Sequence, residues 1–145
     1  MDEITYRPLT AENFNTLSLD GFVRRQQVRE CWRRVDGALA LRPVEYLEDW
    51  TLEERRETAA QVLQAAEHGG AAFGAFCRGT AAGFAALAGE RLGSRGQYAD
   101  LSLFYVSEPY RGRGIGGALF RLACSAAREM GAEKLYISAH SAREV

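Results

Sequence analysis

The sequence predicts an α+β, or mixed α/β, sandwich in which one central sheet is covered by helices. Two apolar runs, AAFGAFC and AAGFAALAGERL, flank the turn RGT as the arms of an antiparallel hairpin do. A strand-like run, LSLFYV, leads through a glycine-rich turn into IGGALFRLACSAAREMG, where Ile115, Leu119, Leu122, Ala126 and Met130 recur at helical spacing. The order strand, helices, hairpin, strand, helix, strand fits helices packed on a sheet, and the many Ala and Gly of the hairpin imply close cover.

Taken in order, ITYRPL alternates loosely and meets Pro8, which makes a short first strand, and TAENFNTL begins a helix after Thr10. Residues 22–36, FVRRQQVRECWRRVD, set Val28, Cys31, Trp32 and Val35 along one helical line as a core stripe. Their arginines then form a solvated helix face rather than a nucleic-acid patch. DGALALRP is a turn and a short extended piece stopped by Pro43, while EYLEDW shows no clear period. Thr51 with Glu54 three residues on is the capping-box pattern of a helix start. Leu52, Ala59, Val62, Leu63 and Ala66 continue that helix until Gly69 and Gly70 release it. LGSRGQ is a loop, Gly131 ends the later helix, and KLYISA is a further strand.

The 145 residues suit one domain, large enough to bury roughly two thirds of its unfolded surface without a disulfide or structural metal. A net charge of -1 predicts no general attraction to nucleic acid or acidic membrane. Cys31, Cys77 and Cys124 are widely spaced and odd in number, which points to a reducing compartment and no metal cluster. MDEITYRPL has acidic residues where a signal peptide has a positive start, and no apolar stretch reaches the roughly 18 residues of a membrane span. The expected location is the cytoplasm.

The sharpest local signal is YRGRGIGG at residues 110–117, between the strand LSLFYV and the helix. Helix starts leave backbone N–H groups unpaired, and glycines let several of them approach a phosphate together. Arg111 and Arg113 add charged donors, so the turn reads as a pyrophosphate cradle; the plainer reading is a tight solvated turn. A dinucleotide fingerprint would stand after an early strand, and a Walker loop would carry Gly-Lys-Ser/Thr, so neither fits.

Arg111-Gly112-Arg113-Gly114-Ile115-Gly116 matches Gln/Arg-x-x-Gly-x-Gly/Ala, and with it the chain resembles the GNAT superfamily of acyl-CoA-dependent N-acetyltransferases. The resemblance is specific over residues 101–118, weak over 12–68, and implies a mostly antiparallel twisted sheet. It also implies acetyl-CoA as cosubstrate, no metal, and a pyrophosphate held by Arg111, Gly112, Arg113, Gly114, Ile115, Gly116 and Gly117. The pantetheine arm would pair with the main chain of Phe104, Tyr105 and Val106, and the Val106 N–H would polarise the thioester carbonyl. Family members continue with a helix carrying a Tyr that protonates the thiolate, then two last strands. This chain stops at HSAREV, so the single domain over 1–145 is expected to be C-terminally incomplete. Truncation, replacement by a partner chain and an incomplete active site all stay open.

Direct transfer to an amine needs no enzyme nucleophile, so the lack of a Ser-His-Asp or Cys-His set is no objection. Asp100 matches the position where some family members carry a catalytic glutamate; it is either the base or a strand cap. Glu90, Glu108 and His140 are weaker candidates, and Cys124 reads as a small core residue. Glu45, Tyr46, Glu48, Asp49 and Trp50 form an acidic and aromatic cluster that either receives a cationic amine or packs Trp50 beside solvated carboxylates. The expected activity is acetyl transfer to a primary amine of a small molecule or peptide, without nucleic-acid or membrane partners and with a homodimer open. The rival is a catalytically weak acyl-CoA-binding or regulatory module.

Overall fold

The structure is a computed structural model that describes residues 3–138. Its central sheet has five strands in the order β1-β4-β5-β6-β7, namely β1 (Ile4–Pro8), β4 (Ala71–Cys77), β5 (Thr80–Leu87), β6 (Tyr98–Val106) and β7 (Lys134–Tyr136). All neighbours are antiparallel except β6 and β7, which run parallel. A separate two-stranded ribbon joins β2 (Arg25–Val35) to β3 (Ala38–Asp49). Helices α1 (Leu52–Glu67) and α2 (Ile115–Glu129) pack against β4 and β5 of the sheet.

Period-two alternation along β5 divides the core between the two helices. Phe84 and Ala86 join Ala59, Val62 and Phe22 on the α1 side, while Ala85 and Leu87 join Ile115 and Leu119 on the α2 side. Gly83 lets α2 sit this close, because a Cβ there would lie 3.0 Å from Ile115 and 3.1 Å from Leu119. The α1 start is the capping box that the sequence predicts. Thr51 Oγ1 accepts the Glu54 N–H at 3.1 Å, and Glu54 Oε1 accepts the Thr51 N–H at 3.1 Å.

Two predicted helices are absent. After Thr10 the chain makes turns, because Asn and Ser side chains capture the main chain that a helix would need. Asn13 Oδ1 accepts the Thr10 N–H at 2.8 Å, Ser18 Oγ the Asn15 N–H at 2.9 Å, and Asn15 Oδ1 the Leu17 N–H at 2.8 Å. Phe14, Leu19 and Phe22 still enter the core from these turns.

Residues 25–35 are strand β2, so the arginines there decorate a ribbon and not a helix. The ribbon turns at Asp36 and Gly37, with φ of 50° and 80°, between the paired Val35 and Ala38. Such a two-residue Asp-Gly loop matches the twist of a hairpin. Val28 and Cys31 are buried together with Val44 against them, although they stand three positions apart. The helical look of that spacing comes from an irregularity: Val28 pairs with Tyr46 but Glu30 with Pro43, so Val44 and Glu45 oppose Arg29 alone. A bulge of this kind bends and twists the ribbon.

Candidate functional site

The site grows from the point where β6 and β7 part. β7 pairs with β6 only at Tyr98, Ala99 and Asp100, whereas β5 follows β6 to Val106. Beyond Asp100, β6 therefore has a free edge among the described residues. A bulge sits at the same place: Leu87 pairs with Leu101 and Ala86 with Leu103, leaving Ser102 as the extra residue. It reverses the alternation, for Ala99 and Leu101 pack on the α2 side, then Leu103 and Tyr105 on the α1 side and Phe104 and Val106 on the α2 side.

The hydrogen-bonding phase of β6 follows from one contact. Ser107 N–H donates to Ala82 O at 2.8 Å, so this opposed pair is hydrogen-bonded, and pairs alternate along an antiparallel ladder. Tyr105 spends its main chain on Phe84, and Phe104 and Val106 turn theirs to the free edge. Ser107 is itself buried, and its Oγ accepts the Val23 N–H at 2.9 Å, which ties the strand end to the start of the ribbon.

The glycine turn continues from that edge. A short 3-10 turn, Glu108–Tyr110, leads into Gly112 and Gly114, whose φ values are 78° and 80°. Gly114 is the N-cap of α2 and supplies no side-chain cap; the Ala118 N–H bonds its carbonyl at 3.2 Å. The N–H groups of Ile115, Gly116 and Gly117 thus have no partner within the helix. A Cβ on Gly116 would lie 3.8 Å from both Phe104 and Val106, so the helix start stands directly over the free edge.

The two arginines of the turn differ. Arg111 turns back on the protein: Nε donates to Val106 O at 3.2 Å, and Nη1 to Arg25 O at 2.8 Å and Gln26 Oε1 at 3.4 Å. Partial burial and then the nearby Arg24 hold its pKa below the usual value, against Glu108. Arg113 is exposed and lies over the Tyr110 ring, 5.5 Å from its centroid.

On the α1 face, a cavity of about 420 Å³ is lined by Arg24, Glu48, Asp49, Trp50, Glu54 and Tyr105. Trp50 meets Tyr105 edge-on at 4.8 Å and stacks on Phe22 at 5.9 Å, so it both packs the core and lines the cavity. Tyr46 of the same sequence cluster stands apart, its hydroxyl 3.5 Å from Cys31 Sγ, and that contact followed by burial pushes its pKa up to about 12. A second cavity, about 470 Å³, lies where α1 ends and β6 bulges, and Gln64, His68, Glu90 and Ser102 line it.

Asp100 lies inside β6, half-buried, so it does not cap the strand; its carbonyl accepts the Ala88 N–H at 2.9 Å. Glu90 is exposed, Cys124 is half-buried on α2, and Glu108 opens the 3-10 turn. His140 lies outside the described residues. Sequence reasoning missed Arg24, Ser107 and the Ser102 bulge, none of which has a local pattern. Among the described residues, no three His, Cys, Asp or Glu side chains group as metal ligands, and no helix is long and apolar enough to cross a membrane.

No curated protein matches the sequence. Among solved structures, nourseothricin acetyltransferase superposes with a TM-score of 0.71 at 19% identity, covering 97% of this chain and 75% of that one. A putative streptothricin acetyltransferase from Bacillus anthracis, in complex with acetyl coenzyme A, gives 0.70 at 17% identity, covering 97% and 77%. Ribosomal-protein-alanine N-acetyltransferase from Brucella melitensis gives 0.60 at 17% identity, covering 98% and 84%. These likenesses show a shared fold. The model of the acetyltransferase (GNAT) family matches residues 35–144, which is more than half of the chain, and the protein belongs to that family.

Proposed function

We infer that this protein moves an acetyl group from acetyl-CoA to a primary amine of a small molecule or peptide by direct attack. The free edge of β6, with the start of α2 and its N–H groups that lack a helical partner standing over it, carries the reading. Pyrophosphate binds at Gly112 to Gly117, where backbone donors and the positive end of the helix meet. Pantetheine then lies along β6 as a missing neighbour strand would, bonding the outward main chain of Val106 and Phe104. Tyr105 contributes its ring to the 420 Å³ cavity and not its main chain to the arm.

Both outward N–H groups can donate to the thioester oxygen. Phe104 is about 7 Å further from the turn than Val106, two residues along a strand. The thioester is the far end of a long arm, so the Phe104 N–H is the better placed donor and the Val106 N–H steadies the arm. As the amine nitrogen attacks, the carbonyl oxygen gains charge that this donor stabilises, the C–S bond breaks and the thiolate leaves. Asp100, four residues back from Phe104 on the same strand, takes the proton of the amine through water.

The test has two parts. Calorimetry should detect acetyl-CoA binding, and incubation with an amine should release free thiol with formation of the amide. Binding without thiol release would leave an acyl-CoA-binding module, and no binding would remove the cradle reading altogether.

A further inference from the structure

The Arg24 guanidinium lies in the wall of the 420 Å³ cavity, and its hydrogen bonding is incomplete. Arg24 is only 6% exposed, bonds Glu48 Oε2 through Nη2 at 3.3 Å, and rests 5.4 Å from the centroid of the Tyr105 ring. Its Nη1 is buried with no hydrogen-bond partner among the described residues. Folding does not leave a buried guanidinium N–H unpaired without cost, and an oxygen arriving there recovers that loss.

The charges around Arg24 restrict what that oxygen can be. Glu48, Asp49 and Glu54 face one arginine across the cavity, while Arg25 bonds Asp49 at 3.2 Å. Among the lining side chains three carboxylates stand against one guanidinium, with Arg111 outside the lining, so an ammonium group entering the cavity meets carboxylates and an entering carboxylate meets like charge. Trp50 and Tyr105 supply ring faces and edges for an apolar or cationic portion.

We propose that this cavity is the acceptor subsite and that Arg24 selects amines bearing a neutral oxygen acceptor beside the nitrogen, an amide carbonyl above all. The proposal rests on the acetyl-transfer reading for its place in the reaction, and it adds the chemical class of the acceptor. An aminoacyl amide fits; a free amino acid and a plain alkylamine each miss one requirement. The amine meets the carboxylates, the carbonyl oxygen meets Arg24 Nη1, and the side chain lies against Trp50.

Phenylalaninamide, phenylalanine and 2-phenylethylamine share one skeleton and separate these requirements. Titrated calorimetrically into the protein saturated with coenzyme A, phenylalaninamide should bind about 10-fold more tightly than phenylethylamine, as a charge-assisted hydrogen bond implies, and phenylalanine most weakly. Arg24→Lys keeps a cation beside Glu48 but removes the fork, and Arg24→Met removes both; in each, the amide should lose its advantage. If the substitution to Met does not fold by circular dichroism, the lysine variant carries the comparison. Equal binding of amide and phenylethylamine, an advantage kept in the folded variants, or no binding of any probe overturns the proposal. Should the predicted order hold while acetyl-CoA releases no thiol, acetyl transfer fails as the reading and the subsite stands.

Discussion

Arg111 and Arg113 stand two residues apart, yet the structure separates their roles. Arg111 gives its donors to Val106 O, Arg25 O and Gln26 Oε1, whereas Arg113 remains exposed beside the cradle. Arg113→Ala should therefore weaken acetyl-CoA binding by about 1–2 kcal/mol through a lost charge-assisted contact. Arg111→Ala should leave that affinity nearly unchanged and lower thermal stability by about 1 kcal/mol or more, read from denaturant unfolding. Asp100→Asn should preserve acetyl-CoA affinity and slow transfer, with the deficit shrinking at high pH, where more amine is already neutral. A wild-type pH–rate profile unchanged by the substitution would shift attention to Glu90. At this scale the cradle glycines were legible, because positive φ at Gly112 and Gly114 demands glycine. Arg24 was not, since its meaning comes from Tyr105 and Glu48, distant in sequence.

The elements were read well where one local rule governs them. Thr51→Ala should lower stability by about 1 kcal/mol, because it removes the cap from the Glu54 N–H. The β2–β3 ribbon was misread because a bulge set Val28 and Cys31 at a helical interval, although Asp36-Gly37 carried the hairpin signal. That ribbon also contains the clearest titration. The Cys31 contact, then burial, raises Tyr46 from 10.0 to about 12, so the folded state favours the neutral phenol. Its contribution to stability is complete below pH 10 and is lost as pH rises from 10 towards 12. Absorbance at alkaline pH should show Tyr46 ionising above its ordinary value, and Cys31→Ala should lower its pKa back towards 10.0.

Across the whole molecule, the sheet was legible from the hairpin, the strand and the helix after them, and the site was legible only where it is contiguous. The cradle lies within residues 104–117, so the sequence displays it in one piece. The amine cavity draws on Arg24, the end of β3, the start of α1 and Tyr105, so only folding assembles it. The central claim is that two sets of main-chain donors, the outward edge of β6 and the first turn of α2 that stands over it, together hold acetyl-CoA. Amide-resolved nuclear magnetic resonance during a coenzyme A titration tests it most directly. The account predicts the largest shifts at the N–H groups of Phe104, Val106, Gly116 and Gly117, with Tyr105 less affected; unchanged amides in those two sets, or shifts confined to other faces, would contradict it.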